Sequence, residues 1–387
     1  MVMSGKQIDD RKIRFNRNEL AGAFGDIGTD LPLLVGIILA ADIDSASALI
    51  MFGVMQLFTA FTYKLPMPVQ PLKAVAVLVI TQKLSGDIIY GAGLAIGVTM
   101  LFLSVTGLVD WLARITPKSV IRGIQFGLGL KLALLALTDY VQADGVAGYA
   151  LAIAGFLLII FLIGNRKYPP ALFVIAVGVF YALLFKLDVA KAAAGVGFSL
   201  PQFHVPTAQD ILTGFVVLAL PQIPLSLGNS ILATRQIVHD FFPDRPLTIR
   251  KISLTYSIMN LINPFFGGIP TCHGSGGMAG HYAFGARTGG SVIIYGGLYL
   301  VLGFFFSAAF SEIVQIFPLP ILGIILLFEG LTLVMLIRDI SGSRADIFIA
   351  LLVGLAATGL PYGFAIGFVT GTLLAYLSRW RPTGFAQ

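Results

Sequence analysis

Cysteine is almost absent: Cys272 is the single thiol in 387 residues. One thiol cannot close a disulfide within the chain, and it makes no cysteine metal cluster. Charge is scarce as well. Only 11% of residues are Asp, Glu, Lys or Arg, against about a quarter in soluble domains. No stretch is both long and polar enough for a separate soluble domain. A Walker motif is missing, which excludes direct ATP coupling within this chain. So are HExxH and a nucleophile elbow, and no cofactor is expected. What is abundant is apolar: 57% of residues are hydrophobic, with a mean hydropathy of +0.90. These numbers describe an all-α polytopic membrane protein. The net charge of +6 with pI 9.4 does not point to nucleic acid, because the basic residues fall beside apolar segments, where cytoplasmic loops collect them.

A membrane span needs about 20 apolar residues. The pattern predicts segments at 20–41, 44–63, 69–82, 88–111, 118–138, 145–164 and 169–186, then at 209–238, 249–265, 271–284, 289–309, 319–337, 345–359 and 361–379. That is about 14 transmembrane segments, seven in each half. The expected organisation is a cytoplasmic N-terminal tail 1–19, a first repeat 20–186, a connection 187–208, a second repeat 209–379 and a cytoplasmic tail 380–387. Lys and Arg test the orientation. With both ends inside, 20 of the 25 fall on the cytoplasmic side, three (Lys83, Lys186, Lys191) outside, and Lys73 and Lys131 within segments. A wrong segment count would scramble that asymmetry. The expected location is the cell inner (plasma) membrane, surrounded by lipid.

The halves echo each other. Pro68 and Pro270 are 202 residues apart, while Gly25-Asp26 and Gly228-Asn229, like Pro117 and Pro320, are offset by 203. Seven segments per half is odd, so a 7+7 repeat would be inverted about an axis in the membrane plane.

The chain is organised around Gly267–Gly290, GGIPTCHGSGGMAGHYAFGARTGG. Flanking apolar segments put it at membrane depth, yet Pro and Gly are poor material for a spanning helix. Non-helical backbone survives there only inside protein or beside a water-filled cavity. The expected form is an extended piece and then a half-helix starting near Thr271. Its free N–H groups, with the Thr271 and Ser275 hydroxyls, would cradle an anion. PVQPLKA at 68–74 predicts a second half-helix from the opposite side, the N-termini near Gln70 and Thr271 meeting at the midplane. Each N-terminus carries about half a positive charge, a pair suited to a dianion. The plainer alternative is that the glycines serve close helix packing.

Candidate substrate contacts are Gln70, Pro71 and Lys73 in the first motif, and Thr271, Cys272, His273, Gly274 and Ser275 in the second. Ser226, Asn229 and Ser230 join them from the eighth segment, and Thr29 from the first. Asp26 and Asp30 share one face of the first segment. A carboxylate at membrane depth is a functional candidate by default, so Asp26 and Asp30 are both candidates for proton coupling, and a protonatable Asp26 would couple a proton to anion uptake. The alternative is a permanent ion pair of Asp26 with Lys73 or Arg287. His273 is a further candidate proton or substrate ligand, or a hydrogen-bonding strut. Lys131 and Glu329 either pair or face an aqueous path. Arg287 is expected on carbonyls or lipid, and Gln56 in a helix–helix hydrogen bond.

PVQPLKA at 68–74, IPTCHGSGGMAGHYAFGARTGG at 269–290 and FGDIGTDLPL at 24–33 together resemble the molybdate transporter family, relatives of the SulP sulfate permeases. The resemblance covers essentially the whole chain. It implies the fold of sulfate permeases and nucleobase symporters, with a core domain of segments 1–4 and 8–11 and a gate domain of segments 5–7 and 12–14. It implies molybdate as substrate. Sulfate permeases usually carry a cytoplasmic STAS domain; here seven residues follow Trp380, so none is expected.

The reading that follows is a secondary-active oxyanion importer and not an enzyme, since Cys272 and His273 are adjacent and point apart. Tungstate or sulfate are open alternatives to molybdate, and an anion channel is the competing class, distinguished by weak, fast-leaving sites. Protons are the expected coupling partner. A homodimer is left open.

Overall fold

The computed structural model describes residues 12–162, 170–185 and 196–380. Lys6, Arg11, Arg166, Lys167, Lys186, Lys191 and Arg381 of the charge count, with residues 187–195 of the expected connection, lie outside the described residues.

The helices are α1 (Arg17–Ala23), α2 (Ile27–Ala41), α3 (Ser45–Tyr63), α4 (Lys73–Gln82), α5 (Gly86–Thr106), α6 (Leu108–Ile115), α7 (Lys118–Leu135), α8 (Gly145–Leu162) and α9 (Pro170–Phe185). Next come α10 (Ala208–Phe241), α11 (Ile249–Ile262), α12 (Ser275–Ala283), α13 (Gly290–Phe305), α14 (Ser307–Ile316), α15 (Leu319–Met335), α16 (Arg344–Gly359) and α17 (Gly363–Trp380). Two short strands, β1 (Val69–Pro71) and β2 (Thr271–His273), precede α4 and α12. Among the described residues, seven helical stretches, with α1 and α2 counted together, are long and apolar enough to be spans, or eight if α13 and α14, bent by 95°, count as one. This is a multi-pass membrane protein. Apolar side chains that face outward, such as Phe161, Phe180 and Phe185, are the surface a bilayer covers.

Local chemistry sets the boundaries. Asn16 caps α1 by accepting from the N–H groups of Asn18 and Glu19 at 3.0 Å. Asp44 does the same for α3, accepting from Ser47 at 2.7 Å. Three expectations are corrected. The segment 20–41 is not one helix but breaks at Phe24–Asp26. The segment 289–309 bends sharply after Phe305. The half-helix expected to start near Thr271 starts at Ser275, because Thr271–His273 is strand. Within α10, Pro221 and Pro224 each lack a donor, and wider π turns lie on either side, at Phe215–Ala219 and Ser226–Leu232. Such bulges often mark functional positions.

Helices α7, α15, α16 and α17 pack together as the gate, while α3 against α13, α5 against α10 and α11, and α2 against α4 build the core. This is the core-and-gate architecture.

Candidate functional site

Two strands at membrane depth need an acceptor or donor for every backbone group. β1 and β2 pair antiparallel, with Gln70 opposite Cys272. The pairing extends at both ends, where Leu72 donates to Pro270 at 3.1 Å and Gly274 to Pro68 at 3.1 Å. The outer edges are met by side-chain amides. Gln56 of α3 donates to the Val69 carbonyl at 2.7 Å and accepts from its N–H at 2.8 Å. Asn260 of α11 does the same for Thr271, at 2.7 and 3.0 Å. Gln56 is therefore a strand clamp rather than a helix–helix contact.

The two helices that follow the strands differ. The first turn of α4 is already occupied: Gln222 Oε1 accepts from the N–H groups of Ala74 at 2.9 Å and Val75 at 3.4 Å. Gln222 Nε2 donates to Ser226 at 3.0 Å, and Ser226 lies 2.6 Å from the Tyr256 hydroxyl. Ser226 thus supports the cap from full burial. In contrast, the first turn of α12 opens on a cavity of about 270 Å³ at the junction of core and gate. Ser275 and Gly276 line it, and a Cβ at Gly276 would meet open space. The expected pair of equivalent N-termini is therefore an asymmetric pair, with one end capped by protein and one facing the cavity.

The cavity gathers Gln70, Lys73, Asn229, Ser230, Cys272, His273 and Ser275 from the sequence candidates. Ser226 and Ser230, one turn apart in an ideal helix, part company across the π turn: Ser230 faces the cavity and Ser226 the cap. Pro71, Thr271, Gly274 and Thr29 are not among the lining residues. Thr271 is fully buried, its hydroxyl taking a 3.2 Å bond from Asn263. Pro71 is a buried strand residue. Thr29 is half-buried in the first turn of α2.

Asp26 is 4% exposed, and its two carboxylate oxygens each accept from Gln70 Nε2 at 2.8 Å. Its partner is this amide and neither Lys73 nor Arg287. The motif glycines make the contact possible. A Cβ at Gly277 would lie 2.0 Å from Asp26 Oδ2, and one at Gly274 would lie 2.5 Å from the Gln70 side chain. The carboxylate thus rests against the first turn of α12. Asp30 is fully buried; one oxygen accepts from the Tyr295 hydroxyl at 3.3 Å, and the other has no hydrogen-bond partner among the described residues. His273 Nε2 sits 2.7 Å from Thr255 Oγ1, the ring edge-on to Tyr63. Its Nδ1 is buried without a partner among the described residues.

Arg287 donates to the carbonyls of Tyr282 and Ala286 at 2.7 Å and lies over the Tyr282 ring, a structural role. Lys131 lies over the Phe364 ring, 5.5 Å from its centre, in a separate cavity. Sequence reasoning missed Gln222, Asn260, Arg122 and Gln125. The signal for the first was an amide between two prolines, PQIP at 221–224. Among the described residues no group of His, Cys, Asp and Glu could hold a metal ion.

The family model for the "Molybdate transporter of MFS superfamily" matches residues 18–132 and 214–333. Molybdate transporter 2 of Arabidopsis thaliana is 33% identical over 413 residues, spanning 94% of this chain and 88% of that protein. In fold the chain is similar to the transmembrane domain of a cyanobacterium bicarbonate transporter, BicA. That likeness has a TM-score of 0.66 and 16% identity, and covers 94% of this chain and 98% of that one. It is also similar to the murine solute carrier 26 family member A9 anion transporter in the inward-facing state, with a TM-score of 0.72 and 12% identity, covering 98% and 70% of the two chains. With the family model spanning more than half of the sequence and a curated relative aligned along nearly all of it, this chain belongs to the molybdate transporter family, a family of transporters and not of enzymes.

Proposed function

We propose that the chain imports a tetrahedral oxyanion, molybdate first, by secondary-active transport in which core moves against gate. The observation that carries this reading is the open first turn of α12. Its N–H groups lack intrahelical acceptors and present about half a positive charge to a cavity where Lys73 adds a full one. Gln70, Asn229 and Ser230 add neutral side chains able to donate. Both the family and the Arabidopsis relative are named for molybdate.

Asp26 couples the anion to a proton in this proposal. Ionised, its carboxylate answers the charge at the α12 terminus and repels a second anion. Neutral, it leaves that terminus to the substrate. Uptake of an anion and a proton together follows, so binding tightens as pH falls. The cavity extends toward Arg122 and Thr332, the side that the Lys and Arg distribution assigns to the cytoplasm, together with both termini. Inner-membrane placement follows from the same reading. The antiparallel pairing of β1 with β2 is the arrangement expected if two inverted repeats, 20–186 and 209–379, meet at a two-fold axis.

The test is isothermal titration of the purified protein with molybdate, tungstate and sulfate at two pH values, beside Ser275→Leu. Oxyanion binding by the native protein that is lost in the folded variant supports the reading. Equal affinity in the two places the site elsewhere, and weak binding of every oxyanion would favour a channel.

A further inference from the structure

The gate also faces the cavity, with Arg122, Gln125 and Leu128 of α7 opposite the core residues. Arg122 is held at two points. One terminal nitrogen ion-pairs with Asp339, in the 3-10 turn Leu336–Ile340 that follows α15. The other donates to Gln125 Oε1 at 2.7 Å. That bond fixes the Gln125 amide, since its oxygen must face the guanidinium, which has only donors. The amide nitrogen is therefore the free end. Gln125 is completely buried, and its Nε2 has no hydrogen-bond partner among the described residues. The same holds for Arg122 Nε. Both residues line the cavity, and each holds a buried donor with no partner among the described residues; an unpaired buried donor is costly, and an acceptor brought against this face would relieve it.

Their source of charge is also informative. The Arg122 side chain is 14% exposed and that of Asp339 44%. The carboxylate is the more solvated partner, and the guanidinium is the one committed to the cavity. An oxyanion in the cavity offers several acceptor oxygens, a match for a planar guanidinium fork.

We propose that Arg122 and Gln125 form a gate-side oxyanion contact, facing the α12 terminus across the cavity, with Asp339 holding the guanidinium when no anion is present. This rests on the oxyanion reading of the cavity. A core that carries the anion away from the gate must break these bonds, so the contact would hold substrate only while the cavity is open on this side.

The experiment is titration of sodium molybdate into purified protein in detergent, comparing the native chain with Gln125→Leu, Arg122→Gln, Arg122→Lys, Asp339→Asn and Ser275→Leu, each checked for an unchanged melting transition. Loss of one charge-assisted bond should weaken binding about tenfold in Gln125→Leu and at least that in Arg122→Gln. Arg122→Lys should fall between, and Asp339→Asn should bind more tightly because a competing carboxylate is gone. If Arg122→Gln does not fold, Gln125→Leu and Asp339→Asn still decide. Native affinity in those two variants, with binding abolished in Ser275→Leu, overturns the gate contact and leaves the proposed function standing. Absence of oxyanion binding by the native protein overturns both.

Discussion

Gly276 is the sharpest place to challenge the site. It is the second residue of α12, and a Cβ there would enter open space. Leucine at this position would push its branched side chain over the N–H groups of the first turn, where an oxyanion must approach to about 2.7–2.9 Å. Two charge-assisted hydrogen bonds are then lost. At about 1.5–3 kcal/mol each, the loss is about 3–6 kcal/mol, or roughly a hundred- to ten-thousandfold in affinity. Stability should move the other way or not at all. The new side chain meets no neighbour at its Cβ, and replacing a helical glycine is worth up to ~1 kcal/mol. Gly276→Ala separates the two effects, because a methyl group occupies less of the approach. The assay is calorimetric titration with molybdate beside a thermal melt in the same detergent. Gly276→Leu should melt at or above the native temperature and bind at least a hundredfold more weakly. Native affinity in a folded Gly276→Leu protein would refute the assignment of the substrate to the α12 terminus.

Further outcomes follow from the supports of the site. Gln222→Leu strips the shared acceptor from Ala74 and Val75 and should cost about 1–3 kcal/mol, read as a lower melting temperature; an unchanged melt would mean water caps α4 equally well. Asn260→Ala removes both bonds to Thr271 and should lower stability and binding together, whereas Thr271→Val, which keeps the backbone bonds, should bind oxyanion nearly as the native chain does. Asp26→Asn should bind molybdate but lose the tightening at lower pH, and a variant that keeps the native pH profile would clear Asp26 of coupling.

Much of the site was legible because proline and glycine interrupt apolar segments where a plain span would have none. That placed PVQPLKA and IPTCHGSGG at the centre, and Asp26 near them. The starts of the helices were not legible. Thr271–His273 is strand because it pairs with Val69–Pro71, some 202 residues earlier in the chain, and no local pattern announces a partner that distant. The separation of Ser226 from Ser230 was hidden for a different reason. An ideal helical period puts both on one face, but the π turn at Ser226–Leu232 changes the period just there. Gln222 looked like one more polar residue in an apolar run. Its role as a cap depends on α10 lying against α4. Arg122 was counted only as a basic residue near the inner surface, since its Asp339 partner lies 217 residues away.

The capping of α4 changes what the cavity can hold. Two open helix termini would offer a dianion about one positive charge in total without help from side chains. With the α4 terminus answered by Gln222, only the α12 terminus remains, and Asp26 already rests against it. The balance for a dianion must then come from elsewhere in the cavity, and the cations that line it are Lys73 on the core side and Arg122 on the gate side. A proton on Asp26 removes one negative charge from the same space. On the proposed reading, substrate charge is matched by a combination that exists only when Asp26 is neutral and the gate is near the core. In the proposed mechanism, selectivity for a dianion and coupling to a proton would then share one physical origin, the electrostatic balance at a single helix end.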